Sequence, residues 1–409
     1  MIDFSPSSKQ HQLREAIQAL GKNIIRPQSL SWDRNHGIPD EFLRNFLRMA
    51  QSFGGTDSAE RFMGTGGKPK KDESGKPTSA SRTAAIASEV LGWSDAALLL
   101  TLPGPGLGGP PVRATGTDEQ RERFFGVFKD MLEGELKWGA YALTEPGAGS
   151  DVARIRTTCV KDGDDWVLNG RKCYITNGAR AAWNVVFATV DASLGRAGQR
   201  AFVVEKGTPG FSVGKIEEKM GLRASETAEL VLEDCRVPGA NLLGGEEAYQ
   251  TKEGFMTAMK TFDTTRPLVA AMACGIGRAA YEYACGFVSD NYMLNRPVPR
   301  YAAIAERLAK VGRRLEAARS LVWRAVYLAD HHEPNAREAS MSKAYAGKAA
   351  IDACIQAIEI CGAHGTIGED HALLEKWFRD IKVFDIFEGT GNIQRVVISK
   401  RIVSGLKSF

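Results

Sequence analysis

Two stretches of this chain place reactive residue types where chemistry could use them. Near the C-terminus, Phe387-Glu388-Gly389-Thr390-Gly391 runs into Asn392-Ile393-Gln394-Arg395. A glutamate between an aromatic residue and a glycine, just before a helix, is an unusual place for a surface charge. Desolvation by the apolar flank would raise its pKa toward that of a useful base. Thr390 can cap the following helix, whose N-terminal amides suit a diphosphate. On these residues alone, an exposed glutamate beside a helix cap is an equal reading. The second stretch is Tyr141-Ala-Leu143-Thr144-Glu-Pro-Gly-Ala-Gly149-Ser150-Asp151. It leaves a strand and enters a loop of small side chains, a backbone that can lie flat against a planar or phosphorylated ligand.

Other candidates fail on context. Gly275-Ile-Gly277-Arg-Ala-Ala280 matches a dinucleotide fingerprint as text, but that fingerprint needs a strand before it, and both flanks read as helix. These glycines are expected to allow close helix packing instead. After Gly75-Lys76 comes Pro77, where a phosphate loop needs Ser or Thr. His331-His332-Glu333-Pro334 reads as a solvated loop, and no metal site is expected. Seven scattered cysteines without a Cys-x-x-Cys pair argue against a disulfide framework and for small buried hydrophobes in a reducing compartment.

The elements that must position these residues follow from periodicity. With 409 residues, two or three sub-domains are expected, and 43% hydrophobic and 25% charged residues are ordinary for a globular chain. The formal charge of +4 is too slight for a nucleic-acid binder, though it favours an anionic ligand. The N-terminus lacks the basic flank and apolar run of a signal peptide. No run of about 18 apolar residues suggests a membrane span, and the expected location is cytoplasmic.

Residues 1–136 read as a helical domain. Leu13, Ile17, Leu20 and Ile24 recur at helical spacing up to Pro27, Phe42, Phe46 and Met49 share a face, and Thr117 with Gln120 forms a capping box. Residues 64–81, rich in Gly, Lys, Pro and Ser, read as a mobile loop. Residues 137–240 read as an antiparallel β-domain of seven short strands: 155–160, 166–168, 173–176, 184–190, 201–205, 211–213 and 229–232. Asn169-Gly170 is expected to be a hairpin turn. Residues 241–409 return to helix, with a buried helix over 268–287, long helices over 304–330 and 336–361, and a short one from Asn392 to Leu406. The expected fold is thus mixed α and β: an N-terminal helical domain, a middle antiparallel β-domain and a C-terminal helical bundle.

Taken together, the 141–151 run, Tyr174-Ile175-Thr176-Asn177-Gly178, Phe262-Asp263-Thr264-Thr265-Arg266-Pro267, Arg379-Asp380 and Phe387-Glu388-Gly389-Thr390 resemble the acyl-CoA dehydrogenase family in order and near spacing. The resemblance covers about residues 115–405. It implies an FAD enzyme that desaturates an acyl-CoA thioester to a 2,3-enoyl-CoA and passes electrons to an electron-transferring flavoprotein. It also implies a homo-oligomer, dimer or tetramer, with a hetero-oligomer as the alternative. Glu388 matches the family's base, which takes the α proton while a β hydride leaves for the flavin. Tyr141, Leu143, Thr144, Gly149, Ser150, Tyr174, Thr176, Thr390 and Asn392 match FAD-binding positions. Ser150, Asp263, Arg266 and Gly389 match substrate positions. Trp93 to Leu102 would form part of the acyl slot.

Some positions depart from the family pattern. Asn291 and Asn295 stand in the Arg-x-x-Phe-Gly motif, Ala302 replaces a glutamine, and Glu359 opens a stretch that is usually Gln-Ile-x-Gly-Gly. Loss of an arginine at 291 and gain of a charge at 359 lead us to expect looser FAD, with Arg296 and Arg300 as the nearest compensating residues. Two rival functions follow: an FAD-deficient structural subunit of a mixed assembly, and a flavin monooxygenase on the same fold.

Overall fold

The computed structural model describes residues 5–52, 79–250, 253–291, 299–367 and 371–406, by their backbone alone at 52, 253–262, 299–301, 372 and 404–406. Arg296 and most of the 64–81 loop lie outside the described residues, as does the side chain of Arg300.

Helix α1 (Ser8–Leu20) starts at a capping box made by Ser7 and Gln10. Pro27 does not end this helical run. A π-helical turn at Gly21–Ile25 leads into α2 (Arg26–Asn35) with helical backbone throughout, so Pro27 sits inside a continuous helical run, directly after the widened turn. After α3 (Asp40–Ser52), the buried α4 (Ala80–Thr101) breaks its helical geometry at Asp95, whose side chain accepts from the Ala97 N–H at 2.8 Å. Helix α4 is long and apolar enough to cross a membrane, yet 83% of its most apolar window is buried inside the protein, so it serves as a core helix. Short α5 (Gly109–Thr115) and α6 (Asp118–Gly126) follow, and α6 carries the expected capping box from Thr117 and Gln120.

Seven strands form one sheet: β1 (Gly139–Ala142), β2 (Thr158–Asp162), β3 (Asp165–Thr176), β4 (Trp183–Thr189), β5 (Gln199–Glu205), β6 (Phe211–Ile216) and β7 (Thr227–Pro238), in the order β1-β4-β2-β3-β7-β6, with β5 on β4. Four of the pairings are antiparallel, while β1 runs parallel to β4 with Tyr141 opposite Val185. Asn169-Gly170 is not a hairpin turn. It lies inside β3 at a register shift, where Asn169 exchanges hydrogen bonds with Asp234 and a side chain at Gly170 would strike Thr157. The turn between β2 and β3 falls instead at Gly163-Asp164, with Gly163 at φ +64°.

The C-terminal domain holds α7 (Glu253–Asn291), α8 (Pro299–Asp330), α9 (Ala336–Cys361), α10 (Ala372–Ile381) and α11 (Gly391–Leu406). Pro267 lies inside α7 and lacks the N–H that would bond the Asp263 carbonyl four residues earlier. The Asn335 amide supplies that donor at 3.1 Å. The 275–280 glycines pack helices, as their context predicts. A Cβ at Gly275 would collide with the Glu89 carbonyl of α4, and one at Gly277 would press on Ala350 of α9.

Arg379 and Asp380 join all three domains. Arg379 bonds Asp33 of α2 and the Met220 carbonyl, while Asp380 accepts the Leu222 N–H at 2.6 Å and Lys376 at 2.6 Å; Lys376 also reaches Asp95 at 3.1 Å. All seven cysteines are free; six are buried and Cys285 is half-buried. Burial pushes their thiols up, Cys235 and Cys361 to about 11.

Gly275→Ala should therefore cost about 1–3 kcal/mol, the usual penalty of forcing bulk into a packed core. Chemical denaturation would read this, and an unchanged midpoint would show that α4 and α7 can part freely.

Candidate active site

Glu388 has φ +57° and Gly389 has φ +91°, two successive left-handed residues between a 3-10 turn (Lys382–Asp385) and α11. In that conformation both carbonyls turn toward protein donors. The Glu388 carbonyl accepts from Gln394 Nε2 at 3.2 Å and Arg266 Nε at 3.5 Å. The Gly389 carbonyl accepts from Lys343 Nζ at 2.8 Å and Gln394 Nε2 at 3.1 Å. The φ of Gly389 favours glycine, and a Cβ would also displace the Gln394 amide from these carbonyls. Thr390 caps α11 as expected, with its hydroxyl accepting the Ile393 N–H at 3.3 Å. Thus α7, α9 and α11 together fix the backbone that aims the Glu388 side chain.

The carboxyl itself accepts from the Thr265 hydroxyl at 3.1 Å. Burial raises its pKa above the ordinary glutamate value, and Thr265, Arg266 and Lys343 pull it partway back. Tyr141 lies close enough that, beyond the effect of burial, the Glu388 charge raises the proton affinity of its hydroxyl. The structure therefore brings Tyr141 of the first motif to Glu388 of the last. Arg266 is also paired with Asp263 at 3.2 Å.

Sequence reasoning missed Lys343. It is 1% exposed, and burial lowers its pKa to about 8, while Asp385 and Glu388 favour its charge. The signal was available: Ala339, Lys343, Ala346 and Ala350 share one buried face of α9. A lysine on an apolar stripe needs a partner.

The 141–151 loop is fastened to β3. Glu145 is buried and accepts from Lys172 at 2.6 Å, the Thr157 hydroxyl at 2.6 Å and the Arg156 N–H at 2.6 Å. Lys172 also reaches the Leu143 carbonyl at 3.2 Å, and the Cys173 N–H donates to the Thr144 carbonyl at 2.9 Å. Leu143 is buried, so only its main chain can face a ligand. Tyr174 is 66% exposed at φ +60°, an uncommon conformation for an aromatic residue, and Thr176 is half-buried two residues on.

These features fit a flat dinucleotide such as FAD. An uncovered aromatic ring stands beside a loop in which a Cβ at Gly147 would meet nothing, and one at Gly149 would only just touch Thr144. The protein itself gives no steric reason for those glycines. Asn392 is exposed in the first turn of α11, where its side chain accepts from Arg395 at 3.2 Å. Gly149 and Ser150 are exposed on the loop, and among the described contacts none joins Ser150 to the Glu388 turn.

Trp93, at the start of the segment expected to form part of the acyl slot, has its polar edge engaged within the protein. It is buried in the core, with its indole N–H bonded to Glu282 at 2.7 Å and Arg26 stacked on its ring at 3.4 Å. Within Trp93–Leu102 only Leu99 and Leu100 are less than fully buried. Asn291 and Ala302 are exposed, and Asn291 bonds the Phe287 carbonyl of its own helix. Glu359 is not a free negative charge, because Arg307 pairs with it and also donates to Gln356 at 2.7 Å.

Known proteins bear on this arrangement. Residues 7–131, 140–235 and 252–403 match in turn the N-terminal, middle and C-terminal domains of acyl-CoA dehydrogenases. The chain belongs to the acyl-CoA dehydrogenase family, whose members are flavoprotein oxidoreductases. Among its relatives, an acryloyl-CoA reductase (NADH) of Anaerotignum propionicum is 36% identical over 410 residues, covering 98% of this chain and 96% of the relative. A short-chain specific acyl-CoA dehydrogenase of Clostridium acetobutylicum is 33% identical over 98% of this chain and its own full length. The solved structure of butyryl-CoA dehydrogenase from Megasphaera elsdenii superposes with a TM-score of 0.83 at 32% identity, over 98% of this chain and 100% of that one.

Replacing Lys343 with Met removes one donor and one positive charge from the Glu388 turn. The proton affinity of Glu388 should rise further, shown by an infrared carboxyl titration against the wild type. Lys343→Arg should restore part of the effect, and coincident titration curves would sever Lys343 from the Glu388 turn.

Proposed function

We propose that the chain removes the α proton of an acyl-CoA thioester with Glu388, as the proton-transfer half of α,β-dehydrogenation to a 2,3-enoyl-CoA. The observation that carries this reading is the rigid left-handed turn, which presents a desolvated carboxylate while its own carbonyls are engaged. A base with a raised pKa holds an abstracted proton better than an ordinary surface carboxylate. Thr265 occupies one carboxylate oxygen, which leaves the other to reach the substrate. Because burial raises the Glu388 pKa, the reactive anion is depleted at low pH, so turnover should climb as pH rises through that raised value. The α proton of a thioester is weakly acidic, and developing charge on the carbonyl oxygen needs donors.

FAD is the cofactor this reading requires, and when bound it supplies the hydride acceptor. Tyr141, Thr144, Gly149, Ser150, Tyr174 and Thr176 would hold it from the β-domain, with the main chain of Leu143. Thr390 and Asn392 would face it from the start of α11. The pairing of Arg307 with Glu359 supports FAD retention, because the charge expected to repel it is already neutralised. We further propose domain boundaries near 136 and 240, a homo-oligomer, a cytoplasmic setting and an electron-transferring flavoprotein as acceptor. The intact Glu388 turn disfavours both a structural subunit and a monooxygenase.

Ser150, Asp263 and Gly389 remain the proposed substrate contacts. Arg266 takes a more specific role than an anchor for coenzyme, since its guanidinium faces Asp263 and the Glu388 carbonyl. It supports the base turn.

Glu388→Gln should keep flavin bound while turnover of acyl-CoA with an artificial acceptor falls by about 10²–10⁴-fold, the usual worth of a positioned general base. Near-normal flavin reduction in that variant would assign the base elsewhere. For Arg266→Ala the loss should fall mainly on kcat. If KM rose with kcat unchanged, Arg266 would be a substrate anchor after all.

A further inference from the structure

A cavity of about 450 Å³ opens between α1, α7 and α8, separate from the Glu388 site. Twelve residues along α7 part its Arg278 from Arg266, about 18 Å on a helix. Four arginines from three helices line it: Arg14, Arg278, Arg313 and Arg319. Glu282 and Glu316 share the wall, and Glu89 lies behind Arg319.

The carboxylates are already served. Glu89 receives both arms of Arg319 at 2.9 and 2.7 Å, Glu282 accepts the Trp93 indole N–H, and Glu316 pairs with Arg319. Of the guanidiniums, Arg319 is fully paired, whereas Arg278 has only loose ion pairs with Glu89 and Glu282 at 3.6 Å, beyond hydrogen-bond length. Arg278 is 7% exposed, and its buried Nε and Nη2 make no hydrogen bond. Arg14 and Arg313 have no ion-pair partner among the described residues.

A buried guanidinium with unbonded N–H groups is costly unless something accepts from them. Its planar fork matches an oxyanion that offers two oxygens at once. The cavity also falls within the size range of small-molecule sites. Gly312 adds to its shape, since a Cβ there would press on the Tyr281 hydroxyl at 3.1 Å.

We propose that this cavity is a second binding site, for a small phosphate-class polyanion held by Arg14, Arg278 and Arg313. The site does not depend on the dehydrogenase reading. Calorimetric titration of inorganic pyrophosphate into flavin-loaded protein should show saturable binding at one per chain, with a Kd below about 1 mM, as a few charge-assisted hydrogen bonds provide. Arg14→Gln and Arg313→Gln, at positions with no ion pair to lose, should each weaken it about tenfold or more, and Arg278→Lys should do so by removing the fork alone. Glu388→Gln should leave it unchanged. Citrate, run in parallel, should bind more weakly. Absence of saturable binding, binding indifferent to the Arg14→Gln/Arg313→Gln double variant, or equal affinity for citrate would each overturn the proposal.

Discussion

The geometry of the candidate active site depends on one backbone constraint, the pair of left-handed residues at Glu388 and Gly389. For an L-residue that conformation costs about 1–2 kcal/mol, and it persists only where surrounding structure over-determines it. Here the surrounding structure is three helices. Arg266 of α7, Lys343 of α9 and Gln394 of α11 all donate to the same two carbonyls. The C-terminal bundle must be fully assembled before the glutamate can take its aim. Pro267 belongs to the same arrangement, because it disrupts α7 beside Arg266 and Asn335 repairs the freed carbonyl.

Opposed electrostatic terms meet at this turn. Burial works against the Glu388 charge, and Thr265, Arg266 and Lys343 work for it. The same balance recurs at structural joints. Lys172 is buried against Glu145 where the loop meets the sheet, and Lys376 against Asp380 and Asp95 where the domains converge. Such pairs need not add net stability over apolar packing, but losing one partner is costly. Each pair ties two elements at a joint, so that the 141–151 loop and the Glu388 turn stay in fixed relation.

Much of this was legible in the sequence wherever a local rule and the tertiary context agree. The Thr117 capping box, the close-packed Gly275 and Gly277, and the Thr390 cap all formed as read. Errors arose where tertiary contacts override local preference. Asn169-Gly170 has hairpin chemistry, yet Asn169 bonds Asp234 across the sheet and becomes a bulge. Pro27 reads as a stop but sits inside a helical run that continues through a π-helical turn just before it. The apolar stripe on α9 marked Lys343 as needing a partner, but that partner is the Gly389 backbone carbonyl, so the pattern could not say where it points.

The state of the cysteines has a practical consequence. Each thiol is at least half-buried and shifted upward by burial, so the reactive thiolate is scarce at neutral pH. The native chain thus offers a nearly silent background to maleimide reagents. A single cysteine introduced on an exposed surface could carry a fluorophore or spin label without first stripping out the seven already present, which would leave the packing around them untouched.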